Sequence, residues 1–235
     1  MNSVLTQPPP DAPEPPPDHY PRRFLWFKAI AIIGLVFVLL SLGLGLMNMV
    51  RSRATTTSAV YNATEVGKAL ANFEASYGKF PDASTAAAVS AKTSTPLTLG
   101  SSTANQLFRQ LLVTMPHPSE EIFWAETSIT PKPPDEIFTS NSTALRPGES
   151  AFAYIAGLSS SSGPTTPVLV CPLLPGSLLF DPKPFHGQAV VLHADHSVAV
   201  YPIDPTGHVL MGSLDIFDPR QAFWHGKAPD IKWPE

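Results

Sequence analysis

Residues 58–81 read SAVYNATEVGKALANFEASYGKFP, and this stretch decides the fold class. Ala59, Ala63, Val66, Leu70, Phe73 and Tyr77 recur at three- and four-residue spacing, which gathers them on one apolar helical face. Asn62, Glu65, Lys68, Asn72 and Glu74 are expected on the other faces. Gly78 is placed to end the helix as a left-handed cap, with Pro81 closing off any continuation. A helix with one such face has a domain packed against it.

Upstream, Ala29 to Val50 reads AIAIIGLVFVLLSLGLGLMNMV and carries no charge. A helix needs about 20 apolar residues to cross a bilayer core of about 30 Å, so the expectation is a transmembrane helix over 24–50. A cleaved secretory signal has a shorter apolar run and a small-residue cleavage site, which Asn48-Met49-Val50-Arg51 does not offer. Arg22, Arg23 and Lys28 flank the run on one side, Arg51 and Arg53 on the other. The basic flanks are nearly balanced, and the short leading tail favours the N-terminus inside the cell and the long C-terminal part outside. Phe24 to Tyr77 reads as one helix, with an amphipathic extension over 51–82.

The first 23 residues form a proline-rich tail (Pro8-Pro9-Pro10, Pro13, Pro15-Pro16-Pro17, Pro21), expected to be extended and without packed structure. It reads as a spacer, or as a docking strand for a cytoplasmic partner.

Downstream, residues 83–235 are expected to form an α+β domain. Ser84 to Leu99 reads as loop. Ser101-Ser102-Thr103 caps a second helix with Leu107, Phe108, Leu111 and Leu112 as its buried face, and Pro116 and Pro118 end it. Four strands are expected, at 151–155, 167–174, 188–194 and 197–203. The last two form a hairpin around a tight turn at Asp195-His196.

At Leu70 to Pro81, the pattern Leu70-x-x-Phe73-x-x-x-Tyr77-Gly78-Lys79-Phe80-Pro81 resembles the end of the long helix in type II secretion pseudopilins and type IV pilins. The segment His186-Gly187-Gln188 through Ala194-Asp195-His196-Ser197-Val198 is similar to the C-terminal hairpin of prepilin-like proteins. The resemblance covers about half of the chain. It implies a pilin-like fold: a transmembrane-to-amphipathic helix packed on a small antiparallel sheet. It also implies a non-enzymatic assembly role, with the lipid bilayer and other pilin-like or secretion-system subunits as partners, including further copies of this chain. The helix–domain contact falls to Val66, Leu70, Phe73 and Tyr77, and the helix stop to Gly78, Phe80 and Pro81. With Phe24 as the first mature residue, Arg23 stands where the family has glycine and Lys28 where it has glutamate. The fold therefore carries over better than the assembly role.

Composition narrows the chemistry. The net charge of −4 gives no reason to expect a polyanionic partner, and basic and aromatic residues are not interleaved, so no nucleic acid is expected. The single cysteine, Cys171, excludes an intramolecular disulfide and sits in an apolar run, as a buried hydrophobe would. No nucleophile elbow, phosphate-binding glycine loop or HExxH motif is present. No cofactor is expected. The competing reading is a membrane-anchored, metal-dependent hydrolase using His193, Asp195 and His196, since a metal needs about three convergent ligands. Asp204, Asp215 and Asp218 supply carboxylates for a calcium loop, as major pseudopilins have near their C-termini.

Overall fold

The computed structural model describes residues 22–235, with side chains in that range except 22–29, 31 and 42–53. The proline-rich tail and the side chains of Arg22, Arg23, Lys28, Arg51 and Arg53 lie outside the described residues. The chain divides into two units, residues 1–47 and 48–235. Helix α1 has the bounds Arg22–Tyr77. Within the first unit its described side chains, Ile30 and Ile32 to Ser41, are all exposed.

The expected fold class is corrected here. Among the described residues no helix is long and apolar enough to cross a membrane. From Asn62 onward α1 carries a polar or charged residue on nearly every turn. What stands is an α+β arrangement around a five-stranded antiparallel sheet.

In the second unit the strands are β1 (Ala153–Ala156), β2 (Pro167–Cys171), β3 (Gln188–His193), β4 (Val198–Pro202), β5 (Leu210–Met211), β6 (Leu214–Asp215) and β7 (Asp230–Lys232). The large sheet has the order β4-β3-β2-β1-β7, and β5 and β6 form a separate ribbon. Side chains alternate between two hydrophobic clusters along the strands, as the period of two requires, except where the β2–β3 register shifts and Val168 and Leu169 join the same cluster. Tyr154, Cys171, Val190 and Leu192 join the cluster that includes α1 and α3. Ala153, Ile155, Val170, Ala189, Val191 and Ile231 join a second cluster with Phe180, Ile216, Phe217 and Trp224. Because both faces are covered, β2 is buried at every residue.

Two local expectations change. The segment expected as loop over 84–99 contains helix α2 (Ala86–Thr93), because three successive alanines have high helix propensity and Val89 anchors them in the core. The β3–β4 turn is one residue longer than expected. His196 N–H donates to His193 O at 2.9 Å, and His196 then takes the left-handed conformation at φ 66°. This is a three-residue hairpin loop, a turn followed by a left-handed residue. Helix α3 (Ala104–Leu112) begins at Thr103, whose side chain accepts from Gln106 N–H.

Candidate functional site

The seat of α1 on the sheet is a buried apolar contact of the second unit. Val66 and Leu70 are fully buried, Phe73 is nearly so, and Tyr77 is half-buried. The Phe73 and Tyr77 rings lie 4.5 Å apart between centroids. Burial of each large apolar side chain is worth about 1.5–3 kcal/mol.

Three residues complete this seat without having been singled out for it in the sequence. Asn62, expected on an outer face, is buried, and its Nδ2 donates to Glu121 O at 2.9 Å and Trp124 O at 2.8 Å. Its place between Ala59 and Ala63 in the apolar stripe was the available signal. Gly67 lets the helix close on the hairpin: a Cβ there would stand 3.0 Å from Leu192 Cδ1 and 3.6 Å from His196 O. Tyr154, fully buried on β1, donates its hydroxyl to Pro81 O at 2.9 Å.

The helix-stop residues follow directly. Gly78 has φ 80°, a conformation open to glycine without strain, and its N–H donates to Glu74 O. Phe80 is fully buried, with its N–H on Leu158 O and its ring 5.8 Å from the His196 ring. Pro81 turns the chain away beneath the Tyr154 hydroxyl.

The hairpin residues are committed to one another rather than to an open site. His193 is buried, with Nε2 3.2 Å from the Tyr201 hydroxyl and Nδ1 3.4 Å from Ser197 Oγ. Burial holds its imidazole below the usual range, against the opposing charge of Asp195. Asp195 is exposed and accepts from both the N–H and the hydroxyl of Ser197, which hold its carboxyl low. His196 packs edge-on against Phe80, and its Nδ1 is buried without a partner. His193 and Asp195 thus meet through the Ser197 hydroxyl, while His196 lies apart against Phe80.

The aspartates considered for calcium organise their own loops. Asp204 Oδ1 accepts from Thr206 N–H, Thr206 Oγ1 and His208 N–H, led by the last in holding its carboxyl low. Asp215 spans His208 Nδ1 at 2.8 Å and Phe217 N–H at 2.7 Å. Asp218 is bonded to the Arg220 guanidinium, which brings it down to about 2. Among the described residues no group of three or more His, Cys, Asp or Glu side chains is placed to hold a metal. Cys171 is buried, and burial pushes its thiol well up, away from the reactive thiolate.

The surface offers one cleft beside the α1 seat. A cavity of about 320 Å³ is lined by Ala69, Asn72, Phe73, Tyr77, Met115 and Pro116. It lies between α1 and the segment that follows α3, and Lys92 Nζ lies 5.1 Å from the Tyr77 ring centroid. Comparison with protein-family profiles, with characterised proteins and with solved structures returned no match.

Proposed function

We propose that this protein is a non-enzymatic, membrane-anchored assembly component, a pseudopilin-like subunit or accessory protein of a type II secretion or type IV pilus system. Its place is the bacterial inner membrane, with the second unit on the periplasmic side. Its work is contact with other subunits rather than turnover of a substrate.

One observation carries the reading. Ile30, Ile32, Ile33, Leu35, Val36, Phe37, Val38, Leu39 and Leu40 are 47–71% exposed, so apolar side chains cover every side of this part of α1. So much exposed apolar surface calls for lipid or apolar partner surface, because leaving it in water costs about 25 cal/mol for each Å². The pattern Leu70 to Pro81, resembling pseudopilins, supplies the class of assembly.

Fractionation of cells making the full chain tests the proposal. Recovery with the bilayer, and in complexes larger than one chain after mild extraction, is the expected result. A freely soluble monomer overturns it. The reading as a metal-dependent hydrolase is weaker, because His193 and Asp195 are already hydrogen-bonded through Ser197 while His196 packs elsewhere, against Phe80.

A further inference from the structure

The most unusual polar group in the described chain is Glu120, which has no accessible surface. Its Oε1 accepts from Leu145 N–H at 2.6 Å, while its Oε2 is buried with no partner. A buried carboxylate normally has its charge paired and its oxygens hydrogen-bonded. Here the surroundings do the reverse.

From the 131–138 segment come Asp135 and Glu136. Glu136 accepts from Glu120 N–H, Glu121 N–H and Ser119 Oγ, which brings a second carboxylate against the same turn. From the 140–149 segment come Glu149 and Arg146, but the Arg146 guanidinium is spent on Glu149 and Asp135. From α3 comes Arg109, which donates to Ala144 O and Asn141 O and faces Glu235 and, less strongly, Glu120 itself without a hydrogen bond to it. Glu121 lies next to Glu120 on its own turn. No cation bonds to Glu120 among the described residues.

We propose that Glu120 is a pH-dependent latch: its neutral, protonated form closes the joint between the Glu120 turn and the 140–149 segment, and its ionised form loosens it. The neutral acid keeps its carbonyl oxygen on Leu145 N–H and removes a buried charge that no cation bonds, Arg109 and Arg146 acting on it only from a distance. Burial above all, then the charges of Glu149, Glu136 and Asp135, push this carboxyl up to about 7, with the Leu145 N–H opposing.

The joint has reach. Next to it, Glu121 O and Trp124 O receive the Asn62 side chain of α1. Across it, Asn105 Nδ2 donates to Leu145 O and Arg146 O, and Gly148 N–H donates to Glu235 O. Opening here therefore relaxes the contacts of α1, α3 and the C-terminal residues together. The latch stands independently of the assembly reading.

Because the folded-state value is raised, the stabilisation is complete below the ordinary value of about 4.5 and is lost as pH rises through about 7. Denaturant unfolding of the full chain at pH 5 to 8.5, alongside Glu120→Gln, is the test. Relative to Glu120→Gln, the wild-type unfolding constant is expected to rise on the order of tenfold or more between pH 5 and 7.5. Parallel profiles for the two proteins overturn the proposal. Should the variant not fold, carbon-13 titration of the Glu120 carboxyl in the wild type decides. A midpoint near 7 that falls in Glu136→Gln supports the latch, and a midpoint in the ordinary glutamate range refutes it.

Discussion

The two faces of the five-stranded sheet are covered by different means. On one face lie the helices: Ala59, Val66, Leu70 and Phe73 of α1, with Leu107, Phe108 and Leu111 of α3, form a continuous apolar cluster with strand residues. On the other face there is no α-helix among the described residues. Its cluster is assembled from Leu173, Phe180, Val209, Ile216, Phe217 and Trp224, which come from turns and short strands. Side-chain bonds to the backbone hold these segments in place. Trp224 Nε1 donates to Ile216 O at 2.8 Å, Trp233 Nε1 to Ser177 O at 3.0 Å, and Gln221 Nε2 to the carbonyls of Met211, Leu214 and Asp215. A helix satisfies its own backbone and needs only an apolar stripe to pack. An irregular layer must find each backbone partner separately.

This contrast sets the expected ranking of substitutions. Leu70→Asp places an unpaired charge in the helix-side core and is expected to cost about 4 kcal/mol or more, detaching α1 from the sheet. Unchanged protease resistance and melting temperature in that variant would break the picture of α1 as the seat of the domain. Trp224→Ala on the opposite face is expected to cost about 3 kcal/mol, because it removes both a large apolar body and the bond to Ile216 O. Trp224→Phe, losing mainly the bond, is expected to lose about 1–2 kcal/mol. If the two tryptophan variants were equally mild in denaturant melts, the irregular face would be a cover rather than a core.

Asn62→Ala leaves the carbonyls of Glu121 and Trp124 without their shared donor and is expected to cost about 1–2 kcal/mol. Amide exchange should speed up in residues 119–125 while the β2–β3 ladder stays protected. Equal acceleration in both would mean that the helix and sheet open as a single unit.

The smallest effect is at the hairpin. His193 titrates below its ordinary value, so its contribution to stability is present above about 6.5 and falls away as pH drops through the lowered folded value. Proton resonances of the His193 ring should show a midpoint below that of a free histidine. A midpoint above it would require a closer counter-charge than Asp195 provides.

The helix-side core was legible because its period is local. Val66, Leu70 and Phe73 declare a helical face within about two turns, and Thr103 marks the start of α3 from its own chemistry. The runs of β-branched and aromatic residues in Gln188–His193 and Val198–Pro202 likewise mark two strands that pair in register. Helix α2 was missed, since its small residues carry almost no apolar pattern. The turn at Asp195-His196 came out one residue short, because sequence does not specify which turn residue takes positive φ.

Tertiary structure alone decided the rest. Nothing local indicates that Gly67 must stay bare for Leu192 and His196, residues more than 120 positions away. Nothing local pairs β7 with β1 through Ile231 and Ile155, or gives Tyr154 the carbonyl of Pro81. Glu120 reads as one acidic residue among many until the fold buries it beside Glu136 and Glu149. Periodicity and capping act between neighbours and are written along the chain. Close approach, backbone pairing of irregular segments and the loss of solvent around a charge depend on which distant residues arrive together, and only the folded chain settles that.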